Sequence, residues 1–371
     1  MAQNGFVSKP CIRTMSPYVG AKTVEEAVSA FGIDPNTIVM LANNENPYGM
    51  SPSAKKAAVE ALETLERYPD STASRLCKAI ARHYGVPTDW VIFSNGSDEL
   101  ITLLGLLVLK TGTSCLFSQY AFSVYALAAR ENDAELIEVP ARKDYSIDLE
   151  AMADSIRADT RLIFLTNPNN PTGLFFPEEA FATFMRRVPS DCLVMLDEAY
   201  GEYVPKELRF DSMQWAKRYP NLIVTHTFSK AYGLAGLRIG YGIAHPELVE
   251  MLNRIRLPYN MNSVAQATAS AAMDDQTYVD SIVEKTRLER EKLQVRLQER
   301  GLRFLPSATN FLLVNFGAKA PQIVNRLFER GVIVRSATNY GLPEWVRLTV
   351  GTPEQNERFL RVYDAVKAEF S

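Results

Sequence analysis

Lys230 lies in the segment Thr227-Phe-Ser-Lys-Ala-Tyr-Gly-Leu-Ala-Gly-Leu-Arg238, directly behind an apolar, β-rich run. Lysine is the side chain that condenses with an aldehyde to form an imine. Two further segments also follow apolar runs: Asn167-Pro-Asn-Asn-Pro-Thr-Gly173 and Asp197-Glu-Ala-Tyr200. Together they carry what an aldehyde cofactor such as pyridoxal phosphate requires. The cofactor needs a carboxylate opposite its pyridine nitrogen, so that the protonated ring can accept electrons. Asp197 ends an apolar run and suits that place. The ring's 3-oxygen needs hydrogen-bond donors, which Asn170 and Tyr200 can supply, and donors there help set the imine's pKa. The phosphate needs dipoles and a cation. Thr227, Ser229 and Arg238 share the lysine's segment, and a guanidinium fork suits phosphate better than an ammonium.

Two more segments fit the same site. Ser94-Asn-Gly-Ser-Asp-Glu99 reads as a turn from strand into helix. Gly96 lets the backbone come close there, and free N–H groups at a helix start bind phosphate. Tyr120-Ala-Phe-Ser-Val-Tyr125 offers aromatics, one of which could stack on a pyridine ring. Each feature taken singly has a plainer reading. An aspartate at a strand end often caps a helix, Asn-Pro-Thr-Gly makes turns, and Phe122 and Tyr125 at helical spacing suit a core. Their order, each behind a strand, is what argues for a site.

The elements that must position them follow an α/β rhythm. Strand-like runs fall at Trp90–Ser94, Ser114–Ser118, Glu135–Val139, Arg161–Thr166, Cys192–Leu196, Asn221–Thr227 and Ile239–Ala244. Helical patterns such as Ser97–Leu109 and Pro177–Arg187 lie between them. This alternation predicts a largely parallel sheet covered on both faces. If the strands are parallel, the three chemical segments emerge at one sheet edge, where such folds place ligands. After about residue 265 the style changes to a second, smaller α/β lobe. Gln276–Arg300 reads as a charged helix with Ile282, Leu288 and Leu293 on its apolar side. Strand-like Phe311–Asn315, Val332–Arg335 and Trp345–Val350 follow, with helices near Pro321–Arg330 and from Pro353. The expected division is an N-terminal arm at 1–44 with few clear elements, a large cofactor-binding domain at 45–265 and a small domain at 266–371. The arm is expected to join the small domain or reach a neighbouring subunit.

Further motifs extend over nearly the whole chain. They are Pro17-Tyr-Val19, Asn44-Glu-Asn-Pro-Tyr-Gly49, Arg67-Tyr-Pro-Asp70, Pro258-Tyr-Asn-Met-Asn-Ser263, Ala308-Thr-Asn-Phe-Leu-Leu-Val314, Gly331-Val-Ile-Val-Arg335, Asn339-Tyr-Gly-Leu-Pro343 and Arg347-Leu-Thr-Val-Gly351. With the segments above, they make the chain resemble the fold-type-I pyridoxal-phosphate aminotransferases, and within them the histidinol-phosphate aminotransferases. The resemblance implies a large domain with a mostly parallel sheet flanked by helices, plus a smaller α/β domain. It implies that Lys230 bonds the cofactor and later carries a proton, and that Asp197 pairs with the ring nitrogen. Asn170 and Tyr200 would hold the phenolic oxygen. Ser97 and Asp98, with Thr227, Ser229 and Arg238, would hold the phosphate, and Phe122 would stack on the ring. It further implies a homodimer with shared sites, in which Tyr68 reaches the partner subunit's cofactor phosphate. Arg347 would bind the substrate carboxylate, Arg335 the substrate's phosphate, and Asn46 would line the same pocket. The reaction so implied is amino transfer between L-histidinol phosphate and 2-oxoglutarate, in two half-reactions through one pocket. Arginines suit that pocket because they can take either a carboxylate or a phosphate.

Composition narrows the partners. The net charge of −3 lacks the basic footprint of a nucleic-acid binder. The longest apolar run, Ile101 to Leu109, is too short to span a membrane. The four cysteines and three histidines are dispersed, which offers no metal site and suits reduced thiols in the cytoplasm. The rival readings are an aromatic amino-acid aminotransferase and a phospho-amino-acid decarboxylase on the same scaffold. A non-enzymatic regulatory module is the remaining class, with no appended DNA-binding unit to favour it.

Overall fold

The computed structural model describes residues 8–17 and 20–370. Of the Pro17-Tyr-Val19 motif, Tyr18 and Val19 lie outside the described residues. The strands are β1 (Val39–Leu41), β2 (Val91–Ser94), β3 (Ser114–Ser118), β4 (Glu135–Val139), β5 (Thr160–Thr166), β6 (Leu193–Asp197), β7 (Leu222–Thr227), β8 (Gly240–Ala244), β9 (Arg303–Phe304), β10 (Phe311–Asn315), β11 (Val332–Ser336) and β12 (Trp345–Thr349).

A seven-stranded sheet has the order β2-β8-β7-β6-β5-β3-β4. β8 runs antiparallel to β2 and β7, and the remaining neighbours pair in parallel. Parallel strands buried on both faces need apolar runs, and β5 to β7 carry them at Leu162–Leu165, Leu193–Leu196 and Leu222–Val224. Leu162, Phe164, Met195 and Ile223 pack on one face with Leu100, Leu104 and Tyr125. Ile163, Leu165, Val194, Leu196, Leu222 and Val224 pack on the other with Phe181, Phe184 and Met213.

A five-stranded sheet has the order β1-β11-β12-β10-β9. Its core gathers Leu312, Val314, Val346 and Leu348 with Leu293, Leu297, Ile323, Leu327, Phe359 and Tyr363 from covering helices. The arm enters this sheet through β1, which pairs in parallel with β11 at Val39↔Val332. The arm is more ordered than its sequence led us to expect. Val24–Phe31 is a helix whose N-terminus is held by a reciprocal box between Thr23 and Glu26.

The helix Gln276–Glu299 departs from expectation in its buried side. Ile282 and Leu293 are buried, but Leu288 is 41% exposed. The buried stripe runs through Val279, Ile282, Thr286, Glu289, Arg290, Leu293 and Leu297, at the 3.6-residue period that Leu288 misses. Two charged residues thus replace a leucine in the stripe. Arg290 is satisfied by donating to the Thr309 carbonyl.

Candidate active site

β5, β6 and β7 are adjacent and parallel, with Thr166 beside Asp197 and Asp197 beside Thr225. The segments that follow these strands therefore emerge at one edge of the sheet. Asp197 is 4% exposed there. Its Oδ2 accepts a 2.7 Å hydrogen bond from the Tyr125 hydroxyl, and its Oδ1 accepts from the Ala199 amide at 3.1 Å. Tyr125 also lies 2.7 Å from Thr166 Oγ1, and its ring stacks on Phe164 with centroids 4.5 Å apart. Burial pushes the Asp197 carboxyl up to about 6, and the Tyr125 hydrogen bond opposes part of that rise.

Lys230 stands on the loop after β7, its Nζ 5.7 Å from the centre of the Tyr200 ring. Burial pushes its ammonium down to about 8, and the positive charge of Arg347 adds to the shift. A lysine so placed is deprotonated far more readily than a free one, which is what a nucleophile and base needs.

The arm lies across these residues. Lys230 Nζ donates to the Asn43 carbonyl at 3.0 Å. The Asn44 amide donates to the Tyr200 hydroxyl at 2.8 Å. Arg347 donates from Nη2 to the Ala42 carbonyl at 2.6 Å and from Nη1 to Asn170 Oδ1 at 2.7 Å. Arg347 thus ties the small sheet to the loop after β5. Asn44 adopts the left-handed conformation, with φ of 56°. It is pinned there by Thr349 Oγ1 and by the Asn310 side chain.

The opposite wall is a cradle at the start of the helix Ser97–Val108, entered through Gly96 at φ 77°. A Cβ on Gly96 would lie 2.4 Å from Arg238 Nη2, and one on Gly240 would lie 2.5 Å from the Ser97 amide nitrogen. Both glycines exist so that an arginine and a strand can close on the helix N-terminus. Arg238 reaches Ser229 Oγ at 3.3 Å and Asp98 Oδ2 at 3.2 Å, and Thr227 Oγ1 lies 3.0 Å from Ser229 Oγ. Backbone dipoles, hydroxyls and a guanidinium converge there, a donor set that fits a phosphate. With Asp197 buried at one end and Lys230 between, the residues fit pyridoxal phosphate.

The structure brings together Lys230, Asp197, Asn170, Tyr200, Thr227, Ser229, Arg238, Ser97, Asp98 and Arg347. Phe122 lies nearby, edge-on to Tyr125 at 5.9 Å. Asn46 abuts the site, but its amide nitrogen is engaged by the Gly49 and Ala231 carbonyls. Arg335 is the register partner of Arg347 on β11. Tyr68 is 84% exposed and stacks on Tyr259. Sequence reading missed Thr166, Asn44 and the role of Tyr125. An aromatic at core spacing gave no sign that its hydroxyl would meet Asp197.

Fold and site together define a pyridoxal-phosphate enzyme of fold type I. The family model for aminotransferase class I and II matches residues 36–362. Histidinol-phosphate aminotransferase 1 of Cupriavidus pinatubonensis is 48% identical over 94% of this chain and 93% of its own length. Histidinol-phosphate aminotransferase 2 of Ralstonia nicotianae is 46% identical over 96% of each. The crystal structure of histidinol-phosphate aminotransferase from Sinorhizobium meliloti in complex with pyridoxal-5'-phosphate superposes with a TM-score of 0.90, at 29% identity, over 100% of this chain and 99% of that one. The chain belongs to the class I and II aminotransferases, in the branch of the histidinol-phosphate aminotransferases. Among the described residues, no helix is long and apolar enough to cross a membrane.

Proposed function

We propose that this aminotransferase moves the amino group between L-histidinol phosphate and 2-oxoglutarate, giving imidazole-acetol phosphate and glutamate, in histidine biosynthesis. The observation that carries the substrate choice is the pairing of Arg335 with Arg347 across antiparallel β11 and β12. Register partners share a face, so the two arginines occupy neighbouring positions on one side of the small sheet, which suits a pocket that must take a phosphate in one half-reaction and two carboxylates in the other. The names of the relatives support the same choice.

When bound, pyridoxal phosphate supplies an aldehyde that condenses with amines and a ring that draws electron density from the substrate's α-carbon. Asp197 would hold the ring nitrogen, its carboxylate favouring a proton there. Asn170 and Tyr200 would hold the phenolic oxygen. The cradle of Ser97, Asp98, Thr227, Ser229 and Arg238 would hold the phosphate, and Phe122 would cover the ring. Lys230 Nζ, its pKa lowered by burial, would take the proton from the substrate's α-carbon and deliver it to the carbon of the cofactor's former aldehyde. Arg347 would orient the α-carboxylate of glutamate or 2-oxoglutarate, and Arg335 the second carboxylate of those acids or the phosphate of histidinol phosphate, which has no carboxylate, with Asn46 shaping the pocket wall. Donor and acceptor use these groups in turn, so the kinetics are ping-pong.

A homodimer with shared sites and a cytoplasmic location complete the reading. The exposed Tyr68 supports the first, and the four unpaired cysteines support the second. The arm at 1–44, the large domain at 45–265 and the small domain at 266–371 remain our proposed division, with the two sheets in its support. The deciding experiment mixes holoenzyme rapidly with histidinol phosphate, phenylalanine or tyrosine and follows the visible absorbance of the lysine-bound cofactor. Histidinol phosphate is expected to react fastest. A faster reaction with phenylalanine would replace this substrate with the aromatic reading.

A further inference from the structure

Behind the cofactor site, on the other face of the same sheet, lies a second cavity. Side chains alternate along a strand, so Glu198 and His226 face away from their neighbours Asp197 and Thr227. They line a cavity of about 380 Å³, closed by the 201–213 segment and by Val279, Asp280 and Val283 of the helix Gln276–Glu299.

The polar groups in this cavity are incompletely paired. His226 is 5% exposed, and neither ring nitrogen has a hydrogen-bond partner among the described residues. Glu198 Oε2 stands 3.6 Å from His226 Nε2, too far for a hydrogen bond, and accepts instead from Ser212 Oγ at 2.9 Å. Glu202 Oε2 is buried and also without a partner among the described residues. Arg209 does not neutralise these carboxyls directly, because it donates to the main-chain carbonyls of Val204 and Glu202. Of the other charged groups in the lining, Asp211 is occupied by the Met213 and Gln214 amides. Lys206 pairs with Asp280 at the exposed mouth, at 3.1 Å. His83 contributes a ring at the rim. The carboxyls thus outnumber the cations.

We propose that this cavity, built around Glu198, Glu202 and His226, binds a small organic cation: a guanidinium or primary ammonium on a short apolar stem. Unused acceptors on Glu202 and on the His226 ring meet the donors of such a head. Val279, Val283 and Met213 offer the stem an apolar wall. The volume lies in the range of small-molecule sites. Burial supports the assignment: it pushes Glu198 up to about 8 and Glu202 up to about 7, and pushes His226 down to about 3. A bound cation would draw both carboxyls back toward their charged form, and the neutral imidazole keeps a lone pair to accept from it.

The test is calorimetric titration of the holoenzyme near neutral pH with n-butylguanidinium, with n-butylurea as the neutral isostere. Guanidinium is expected to bind saturably, one per chain, and the urea at least about tenfold more weakly, as a lost charge-assisted hydrogen bond predicts. Glu202→Gln and Glu198→Gln keep the side-chain shape. Each is expected to weaken guanidinium binding at least about tenfold while leaving kcat unchanged. Circular dichroism establishes the fold of each variant, and if one fails to fold the other carries the test. No uptake of guanidinium, equal uptake of the urea, or uptake indifferent to both substitutions overturns the proposal.

Discussion

The Tyr125 hydroxyl donates to Asp197 Oδ2 at 2.7 Å, from a ring fixed against Phe164. This bond does two things. It orients the carboxylate, and it holds down a pKa that burial pushes up to about 6. Hydrogen bonds to charged groups contribute about 1.5–3 kcal/mol, which corresponds to roughly one to two pH units. Tyr125→Phe should therefore make the carboxylate harder to ionise. The sign is fixed: losing a donor to the charged form raises the pKa, so the acid limb of kcat/KM moves upward from its wild-type position. The pH profile of the variant, fitted beside the wild type, measures the displacement. An unmoved acid limb would mean that Asp197 does not control it.

Arg335 and Arg347 are register partners, yet their surroundings differ. Arg347 is 8% exposed and bonded to Asn170 and Ala42, whereas Arg335 lies nearer the surface. Arg335→Gln is therefore expected to leave the fold intact and to raise KM for a phosphate-bearing donor by about 10–100-fold. With a donor that carries neither a phosphate nor a second carboxylate, KM should hardly change. Arg347→Lys should raise KM for every donor that carries an α-carboxylate, because an ammonium cannot make both bonds of the fork. Steady-state kinetics with paired phosphorylated and unphosphorylated amines separates the two roles.

The contrast between strands and contacts explains what the sequence could convey. β3 and β10 begin and end where their apolar runs do, because those runs are bounded by turn formers and buried on both faces. Asp197, Lys230 and Arg238 were legible because each sits at a fixed distance from such a strand. The Asn44–Tyr200 and Arg347–Asn170 bonds join residues 156 and 177 positions apart. No local pattern encodes a contact of that range. Other signals were local and passed over: Ser51 followed by Pro52 caps the helix Pro52–Ala61, a start signal read directly from composition. The buried Glu289 and Arg290 went unread for a different reason, since a charged helix face looks solvated until its partners are known.

Gly240 opens β8 directly against the helix that would hold the cofactor phosphate. A Cβ there would stand 2.5 Å from the Ser97 amide nitrogen and 2.8 Å from the Gly96 carbonyl carbon. Backbone, unlike a flexible side chain, gives way only by moving the helix start. Gly240→Ala should thus cost about 1–3 kcal/mol of stability, and it should displace the amides that face the phosphate. Fluorescence titration of the cofactor-free variant with pyridoxal phosphate should show at least about tenfold weaker binding. Unchanged affinity would place the phosphate elsewhere than this cradle.

Tyr68 has 84% of its surface exposed, and its ring stacks on Tyr259, itself 47% exposed. Val59, Leu62, Leu65 and Leu257 are exposed as well. Exposed apolar groups at 59–68 and 257–259, joined by the Tyr68–Tyr259 stack, suit an interface, and a two-fold dimer is the simplest assembly that would bury them. If Tyr68 serves the partner's site, two defective variants should complement each other. Tyr68→Ala is expected to weaken cofactor binding by about tenfold, and Lys230→Ala to lower turnover by at least about 10²-fold. A heterodimer of the two contains one site with Lys230 from one chain and Tyr68 from the other, both intact. Random exchange of equal amounts makes about half the dimers mixed, so about a quarter of all sites regain full function. Turnover at low cofactor concentration, where Tyr68→Ala is least saturated, reads this recovery directly. If the mixture shows only the mean of its two parents, Tyr68 acts within its own chain and the shared site is refuted.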